Sequence, residues 1–251
     1  MITKFDKIYV ITLVNNKERQ EFISKQFNDL GINFEFMYST DFKNIKYGYS
    51  KFELNWPEMF IGDPNPANTF SCAVAHYQSI LQAYEFGYNN IMCIEDDLCL
   101  IKDKDLIEYY LNNIPDDADF ITYDPRFINE NEYNKIFDNI KKSNNEWILL
   151  NNDIDGLIGS MMYGIMNRNT MQFYLESQRN SFTISDSVYG IFRNPTKTIK
   201  RYTTKKCICT DHYNIENKFN TIPIYHNIYK NIENLSIESF NIPEKFSSFT
   251  R

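Results

Sequence analysis

One stretch, Asn90–Leu100, constrains the fold of this 251-residue chain more than any other. Its first part, Asn90–Ile94, is an apolar run of strand length that leads directly into three consecutive carboxylates, Glu95–Asp97. The chain then becomes apolar again at once, over Leu98–Leu100. This pattern is typical of a buried strand in an open α/β sheet, where ligands bind just beyond the carboxyl ends of the strands.

Three adjacent carboxylates repel one another, so near a core they must be solvated, hydrogen-bonded or neutralised by a cation. We predict a divalent cation, Mn²⁺ or Mg²⁺, at this triplet, because hard cations prefer carboxylate and phosphate oxygens. Asp96 and Asp97 are neighbours on a turning backbone, so one can bind the ion while the other hydrogen-bonds a sugar hydroxyl. The ion would carry a phosphorylated substrate. The alternative is a solvated acidic turn at a strand end. A rival D-x-D motif, Asp153–Asp155, has no long apolar strand before it, and a loop near the acceptor suits it better.

The amino-terminal part predicts a strand, a helix and a second strand. Lys7–Leu13 is rich in β-branched residues, and Asn15 or Asn16 is suited to cap the helix that follows. Ile32–Met37 then alternates as a strand does. This order implies a parallel crossover, and such folds hold a nucleotide in the loop after the first strand, where Arg19 lies one helical turn in.

Further helices are predicted at 71–86, 103–113, 169–177 and 185–192, and further strands at 118–123, 147–150, 159–166 and 222–226. The basic stretch 197–206 is predicted to be irregular. It is either a solvated face or a contact for a pyrophosphate, an anionic acceptor or a membrane surface. The predicted fold class is α/β: one domain over residues 1–251, with a mostly parallel central sheet flanked by helices and a less regular C-terminal third. Residues up to about 125 would form the nucleotide-binding part, and the remainder the acceptor part.

Composition excludes several functions. The net charge of −7 argues against nucleic acid as a partner. No apolar stretch is long enough to span a bilayer, and five irregularly spaced cysteines form no disulfide framework, so we expect a reduced, cytoplasmic compartment. Neither G-x-G-x-x-G, nor a phosphate-binding P-loop, nor G-x-S-x-G occurs. These absences argue against a dehydrogenase, a kinase and a serine hydrolase.

The chain has three histidines, and an isolated histidine is most often structural. His226 follows an apolar run and could complete a metal shell. His76 lies nineteen residues before Glu95 in a core-facing helix and is predicted to line the same pocket.

The chain resembles glycosyltransferase family 25, which includes lipooligosaccharide and collagen-type galactosyltransferases. Six segments of the chain are similar to motifs of the family. Ile8–Leu13 with Glu18 and Arg19 resemble the family's opening strand and acid–Arg pair, Tyr38–Asp41 its Ala-Val-Asp-Gly-like turn, and Ser71–His76 its Gly-Cys-x-x-Ser-His segment. Ile94–Asp97 match its E-D-D, Ser160–Asn167 a later strand, and Ile184–Asp186 a following Asp. Two positions depart from the pattern, since Ser71 replaces a glycine and Ala75 replaces a serine. The likeness weakens after about residue 195.

The resemblance implies a GT-A-type fold, a nucleotide-sugar donor that is most commonly UDP-linked, a divalent metal and inversion at the anomeric carbon. By analogy, Asp97 would ligate the metal, Asp96 would bind the ribose, and Glu95 would act through a metal-bound water or the nucleotide. His226 would be a further metal ligand.

The resemblance also implies that the base and ribose are held by Arg19, by Asp41 and by the backbone at Thr12 and Leu13. Inversion needs a base for the acceptor hydroxyl, and a carboxylate suits this role. Asp186 is the first candidate and Asp155 the second.

We therefore expect a metal-dependent, inverting glycosyltransferase of glycan biosynthesis, such as that of lipopolysaccharide. It would move a hexose, galactose or glucose, from a UDP-sugar to a hydroxyl of a glycan or glycoconjugate. Two alternatives stay open at this stage. One is a metal-dependent phosphohydrolase or nucleotidyltransferase acting on nucleotides, and the other is a non-catalytic glycan-binding relative.

Overall fold

The computed structural model describes residues 3–39, 66–123, 143–150, 162–180, 199–211 and 237–242. In this part the helices are α1 (Lys17–Asp29), α2 (Pro66–Glu85), α3 (Lys104–Asn112) and α4 (Arg168–Asn180), with a 3₁₀ turn at Ile237–Ser239. The strands are β1 (Lys7–Leu13), β2 (Glu35–Ser39), β3 (Ile91–Glu95), β4 (Leu98–Leu100), β5 (Phe120–Thr122), β6 (Trp147–Leu150), β7 (Met162–Ile165), β8 (Arg201–Thr204) and β9 (Cys209–Asp211). Predictions that lie outside the described residues are the helix at 185–192, the strand at 222–226 and the roles of Asp41, Asp155, Asp186 and His226.

Seven of these strands form the central sheet, in the order β2-β1-β3-β7-β5-β8-β6. The strand β1 pairs in parallel with both β2 and β3, and β5 pairs in parallel with β8. The strands β7 and β6 run against their neighbours, so five of the seven strands share one direction. The predicted α/β class with a mostly parallel central sheet is confirmed.

The first helix shows how local sequence sets its position. Ile23 and Phe27 are fully buried, and burying such a side chain contributes about 1.5–3 kcal/mol. Gly31, at φ 65°, follows the C-cap residue Leu30 and ends the helix. Asn16 occupies the N-cap position, but the predicted capping hydrogen bond is not formed. Its side-chain amide instead faces Asp96, with Nδ2 3.4 Å from Oδ2, because that carboxylate is the stronger acceptor nearby.

The helix before the acidic stretch is longer than predicted. It begins at Pro66 rather than at Ser71, and Gly87, at φ 82°, follows its end. Ala73 and Ile80 are buried on the face that packs toward the sheet. Within the described residues, no helix is long and apolar enough to cross a membrane.

The prediction of irregular chain over 197–206 is wrong for Arg201–Thr204, which form β8 inside the central sheet. Arg201 is only 1% exposed. This cation of the basic stretch therefore lies in a buried strand and not on a solvated face. Neighbouring charges are also used within the fold. Lys200 forms an ion pair with Asp117 at 2.7 Å, and Lys205 donates to the Ser143 carbonyl at 2.8 Å.

Candidate functional site

The carboxyl ends of β1, β2 and β3 meet at one edge of the sheet. Their register pairs Leu13 with Ser39 and Ile11 with Glu95, so β1 and β2 end level with each other and β3 ends two residues earlier. A cavity of about 130 Å³ opens there, and its described lining comprises Ile11, Thr12, Leu13, Asn16, Arg19, Ser39, Ser71, Cys72, Glu95 and Asp96. This is the position at which open α/β sheets bind ligands.

The three carboxylates separate because the chain turns sharply among them. Glu95 is the last residue of β3, Asp96 and Asp97 form the turn, and Leu98 begins β4. The strand β4 leaves the central sheet and pairs with β9 in a separate two-stranded sheet. Each carboxylate therefore meets a different set of partners.

Arg19 supplies a positive charge to two of the three carboxylates. Its Nη1 atom lies 2.9 Å from Asp96 Oδ1 and 3.7 Å from Asp97 Oδ2. All three side chains are largely buried, at 12%, 7% and 4% exposure respectively. The acidic turn is thus tolerated near the core because a guanidinium of the same chain compensates it, in addition to any ion that binds there.

Asp96 also accepts hydrogen bonds from the end of β1 and from the loop that follows it. Thr12 Oγ1 donates to Asp96 Oδ2 at 2.5 Å, and Asn16 Nδ2 approaches the same oxygen at 3.4 Å. The Leu13 carbonyl accepts from Gln20 Nε2 at 2.7 Å. These contacts tie the β1–α1 loop to the acidic turn, so that both lie against the cavity in a fixed arrangement.

Glu95 faces a different group. Its Oε1 lies 3.4 Å from His76 Nε2, and the Glu95 side chain keeps 21% exposure toward the cavity. The other ring nitrogen of His76, Nδ1, hydrogen-bonds Tyr163 OH at 2.7 Å, and the two rings stack with centroids 5.5 Å apart. Tyr163 on β7 therefore sets the orientation of the imidazole, which is itself only 1% exposed.

The amino-terminal half of α2 is joined to the end of β2. Ser39 Oγ donates to the Ser71 carbonyl at 2.9 Å, and the two hydroxyl oxygens are 2.7 Å apart. These buried contacts hold the next residue, Cys72, at the wall of the cavity.

Seven predicted site residues come together here. Thr12, Leu13, Arg19, Glu95 and Asp96 line the cavity, His76 contacts Glu95, and Asp97 contacts Arg19. Their individual roles remain predictions. Sequence reasoning missed five contributors to this arrangement, namely Asn16, Ser39, Ser71, Cys72 and Tyr163. Of these, Ser71 and Cys72 belong to the segment that resembles a family motif, and Cys72 also stands four residues before His76.

A second cavity, of about 590 Å³, is larger but has a different setting. It lies between α1 and α3, and its described lining includes Phe22, Lys25, Ile101 and Ile107. None of the predicted site residues lines it within the described part of the chain. The smaller cavity is the functional candidate because the converging polar groups are there.

The sequence profile of glycosyltransferase family 25 (LPS biosynthesis protein) matches residues 5–188. This chain belongs to glycosyltransferase family 25. The matched region contains β1, the whole acidic turn and every described residue of the smaller cavity. As a member of this family the protein is a glycosyltransferase, and it acts on a sugar donor and a glycan acceptor.

No curated protein matches the family 25 chain by sequence. Among solved structures, it is similar to a glycosyltransferase involved in the glycosylation of the major capsid of PBCV-1, at 12% identity and a TM-score of 0.44, over 93% of this chain and 92% of that one. It is also similar to mannose-1-phosphate geranyltransferase from Thermus thermophilus, at 10% identity and a TM-score of 0.30, over 78% of this chain and 58% of that one.

Proposed function

We propose that this glycosyltransferase moves a hexose from a UDP-sugar to a hydroxyl of a glycan or glycoconjugate, with inversion at the anomeric carbon and with the help of Mn²⁺ or Mg²⁺. The observation that carries the proposal is the cavity at the carboxyl ends of β1, β2 and β3, where Arg19, Glu95 and Asp96 converge. Family membership supports glycosyl transfer there.

The described residues divide the work of donor binding. Asp96, held by Thr12 and Arg19, is fixed where its carboxylate can accept hydrogen bonds from ribose hydroxyls. The Arg19 guanidinium adds positive charge beside the cavity, which favours a diphosphate. The backbone at Thr12 and Leu13 forms the wall against which the base would lie, with Asp41 as a further partner.

The donor set at the acidic turn fits a hard divalent ion, because the Glu95 carboxylate lines the cavity and the buried Asp97 carboxylate lies two residues further along the same turn. Asp97 and Glu95 would hold the ion, and His226 would complete the protein ligands. When bound, such an ion supplies positive charge that stabilises a departing diphosphate.

Two carboxylates are candidates for the base that accepts the proton of the acceptor hydroxyl. Asp155 precedes Met162 by seven residues, and Met162 pairs with Ile94, the neighbour of Glu95. Asp186 follows α4, which packs along α2 in the opposite direction: Arg168 donates to the Tyr84 carbonyl, and Arg179 bonds Tyr77. Asp186 is the first candidate and Asp155 the second.

The test is turnover of a panel of UDP-sugars with and without Mn²⁺, using mixed glycan acceptors and product analysis by mass spectrometry. We expect metal-dependent glycan extension and release of UDP. Asp97→Asn should reduce turnover by at least about 100-fold, since a carboxylate ligand contributes several kcal/mol to ion binding and charge stabilisation. Asp117→Asn, an exposed carboxylate paired with Lys200, is the matched control and should keep full turnover.

The same experiment separates the alternatives. A phosphohydrolase or nucleotidyltransferase would release phosphate or nucleotide without any acceptor. A non-catalytic glycan-binding relative would bind sugar without regard to metal or nucleotide. Full Mn²⁺-dependent turnover by Asp97→Asn would overturn the proposed metal role.

A further inference from the structure

Three side chains of different chemistry converge at the wall of the candidate cavity. Cys72 Sγ, a ring nitrogen of His76 and a carboxylate oxygen of Glu95 all lie within 4.8 Å of one another. Cys72 and His76 are four residues apart on α2 and so project from the same helix face. Glu95 reaches them from the end of β3.

We propose that Cys72, His76 and Glu95 form a binding site for a borderline-soft transition-metal ion, for which Zn²⁺ is the best fit. A thiolate, an imidazole and a carboxylate together match the ligand preferences of Zn²⁺, whereas Mn²⁺ and Mg²⁺ prefer mainly oxygen ligands and do not select a thiolate. This site goes beyond the proposed function, because it is a second ion site that shares only Glu95 with the first.

The geometry of the pair His76–Glu95 already suits an ion. In a tetrahedral zinc site with bonds of about 2.0–2.3 Å, neighbouring ligand atoms lie about 3.5 Å apart. His76 Nε2 and Glu95 Oε1 are separated by 3.4 Å. The Cys72 thiol lies within 4.8 Å of both atoms, at the cavity wall, so ion binding would draw it closer.

The buried imidazole provides an independent indication. His76 Nε2 is buried and has no hydrogen bond within the described residues, and its side chain is only 2% exposed. Buried polar nitrogens normally have a partner, and a bound cation would supply one here. The Tyr163 hydroxyl on Nδ1 is the kind of outer contact that fixes the tautomer and direction of a metal-binding histidine.

The site is open on one side. Cys72 and Glu95 both line the candidate cavity, so an ion held by three protein ligands would present its fourth position to the cavity. Sites with three protein ligands and one open position exchange ligands with solvent or substrate, unlike closed structural sites.

Sharing Glu95 has a consequence that rests on the proposed function. When Zn²⁺ is bound by Cys72, His76 and Glu95, the Glu95 carboxylate would no longer be available as a ligand for Mn²⁺. Zn²⁺ should therefore inhibit Mn²⁺-supported turnover. Loss of this inhibition in Cys72→Ser would link the two ions, whereas the binding experiments below depend on neither donor nor acceptor.

The direct test is titration of the full, chelator-treated chain with Co²⁺. We expect one equivalent to bind with thiolate-to-cobalt charge-transfer absorption, and Zn²⁺ to displace it. Cys72→Ser should abolish this absorption, and Glu95→Gln should weaken Zn²⁺ binding by at least about 10-fold. Cys207→Ala removes a buried thiol outside the cluster and is the matched control, with unchanged binding expected.

A chemical measurement guards against misfolded variants. Iodoacetamide should modify Cys72, which is partly exposed, and Zn²⁺ should protect it in the unmodified chain, as peptide mass mapping can show. The competing thiols at Cys93 and Cys99 are buried, and burial raises the pKa of Cys93 to about 12 and that of Cys99 well above its usual range. Absence of thiolate absorption in the unmodified chain, its persistence in Cys72→Ser, or alkylation of Cys72 at the same rate with Zn²⁺ would overturn the proposal.

Discussion

The two halves of the central sheet differ in how strand direction is used. In the parallel half, β2-β1-β3, the carboxyl ends are adjacent, and the polar residues there face one cavity. In the mixed half, β7-β5-β8-β6, the pairs β7–β5 and β8–β6 are antiparallel and the pair β5–β8 is parallel. The buried residues of this half pack against each other. Parallel pairing gathers functional groups that are distant in sequence, whereas the mixed half supplies core. Tyr163 on β7 joins the two, through its bond to His76.

The largest difference between the halves should appear when Arg19 loses its charge. Arg19→Met leaves Asp96 and Asp97 without their guanidinium in a largely buried site, and breaking such a pair costs about 3–5 kcal/mol. Urea unfolding should show this loss. Adding Asp96→Asn should recover a large part of it, since the remaining carboxylate is then less crowded. A loss below about 1 kcal/mol would mean that Arg19 is not the compensating charge.

A matched pair of threonines sharpens the comparison. Thr12 Oγ1 bonds a carboxylate at 2.5 Å, whereas Thr203 Oγ1 approaches the Thr122 carbonyl at 3.5 Å, and both side chains are buried in strands. Thr12→Val should cost about 1.5–3 kcal/mol, because hydrogen bonds to charged groups are the stronger ones, and Thr203→Val should cost well under about 1 kcal/mol. Equal losses in thermal or urea unfolding would contradict the proposed division.

The mixed half should be sensitive to packing instead. A Cβ at Gly164 would lie 2.8 Å from both Ile121 Cγ1 and Phe5 Cε1, so Gly164→Ala overpacks the sheet at a cost of about 1–3 kcal/mol. We expect lower stability in urea unfolding, with turnover per folded molecule unchanged. Gly87→Ala is a useful contrast, because its nearest neighbour would be 3.8 Å away and its cost would come only from φ +82°. A stable Gly164→Ala would show that the side chains of Ile121 and Phe5 can shift to make room.

The smallest effect is expected at the exposed pair of Lys200 and Asp117. The pKa of the Asp117 carboxyl is held below its ordinary value by two hydrogen bonds, of which the one from Lys200 has the larger effect and the one from Tyr202 the smaller. Any stability from this pair is therefore present above the ordinary aspartate pKa and is lost as the pH falls through the lowered value. Lys200→Met should raise the pKa of Asp117 in an NMR titration while leaving urea stability at neutral pH unchanged within error, because both groups are solvated.

Local patterns explain which elements could be predicted. Residues 103–113 carry their own start signal, and Asp103 caps α3 by accepting from the Leu106 N–H at 3.0 Å. The apolar run before Glu95 likewise specifies β3 from within a few residues. The strand β8 escaped prediction because Arg201, a cation, is buried there by tertiary packing that no neighbouring residue indicates.

The site could be predicted only in part, for the same reason. The acidic turn, the position of Arg19 in the first turn of α1 and the proximity of His76 followed from chain order in an α/β fold. The direct pairing of Arg19 with Asp96 joins residues 77 positions apart, so no local spacing specifies it. The sequence assigned Cys72 no role, because its neighbour Glu95 lies on a different element, β3, and is brought close to it only by the fold.

The pairing of Arg19 with the acidic turn separates folding from ion supply. Because the chain carries its own compensating charge at Asp96 and Asp97, it need not wait for a metal ion before it folds. Under the proposed function, a cell short of manganese would keep its store of folded enzyme and lose only the rate of sugar transfer. Restoring the ion would then restore transfer at once, without new protein synthesis.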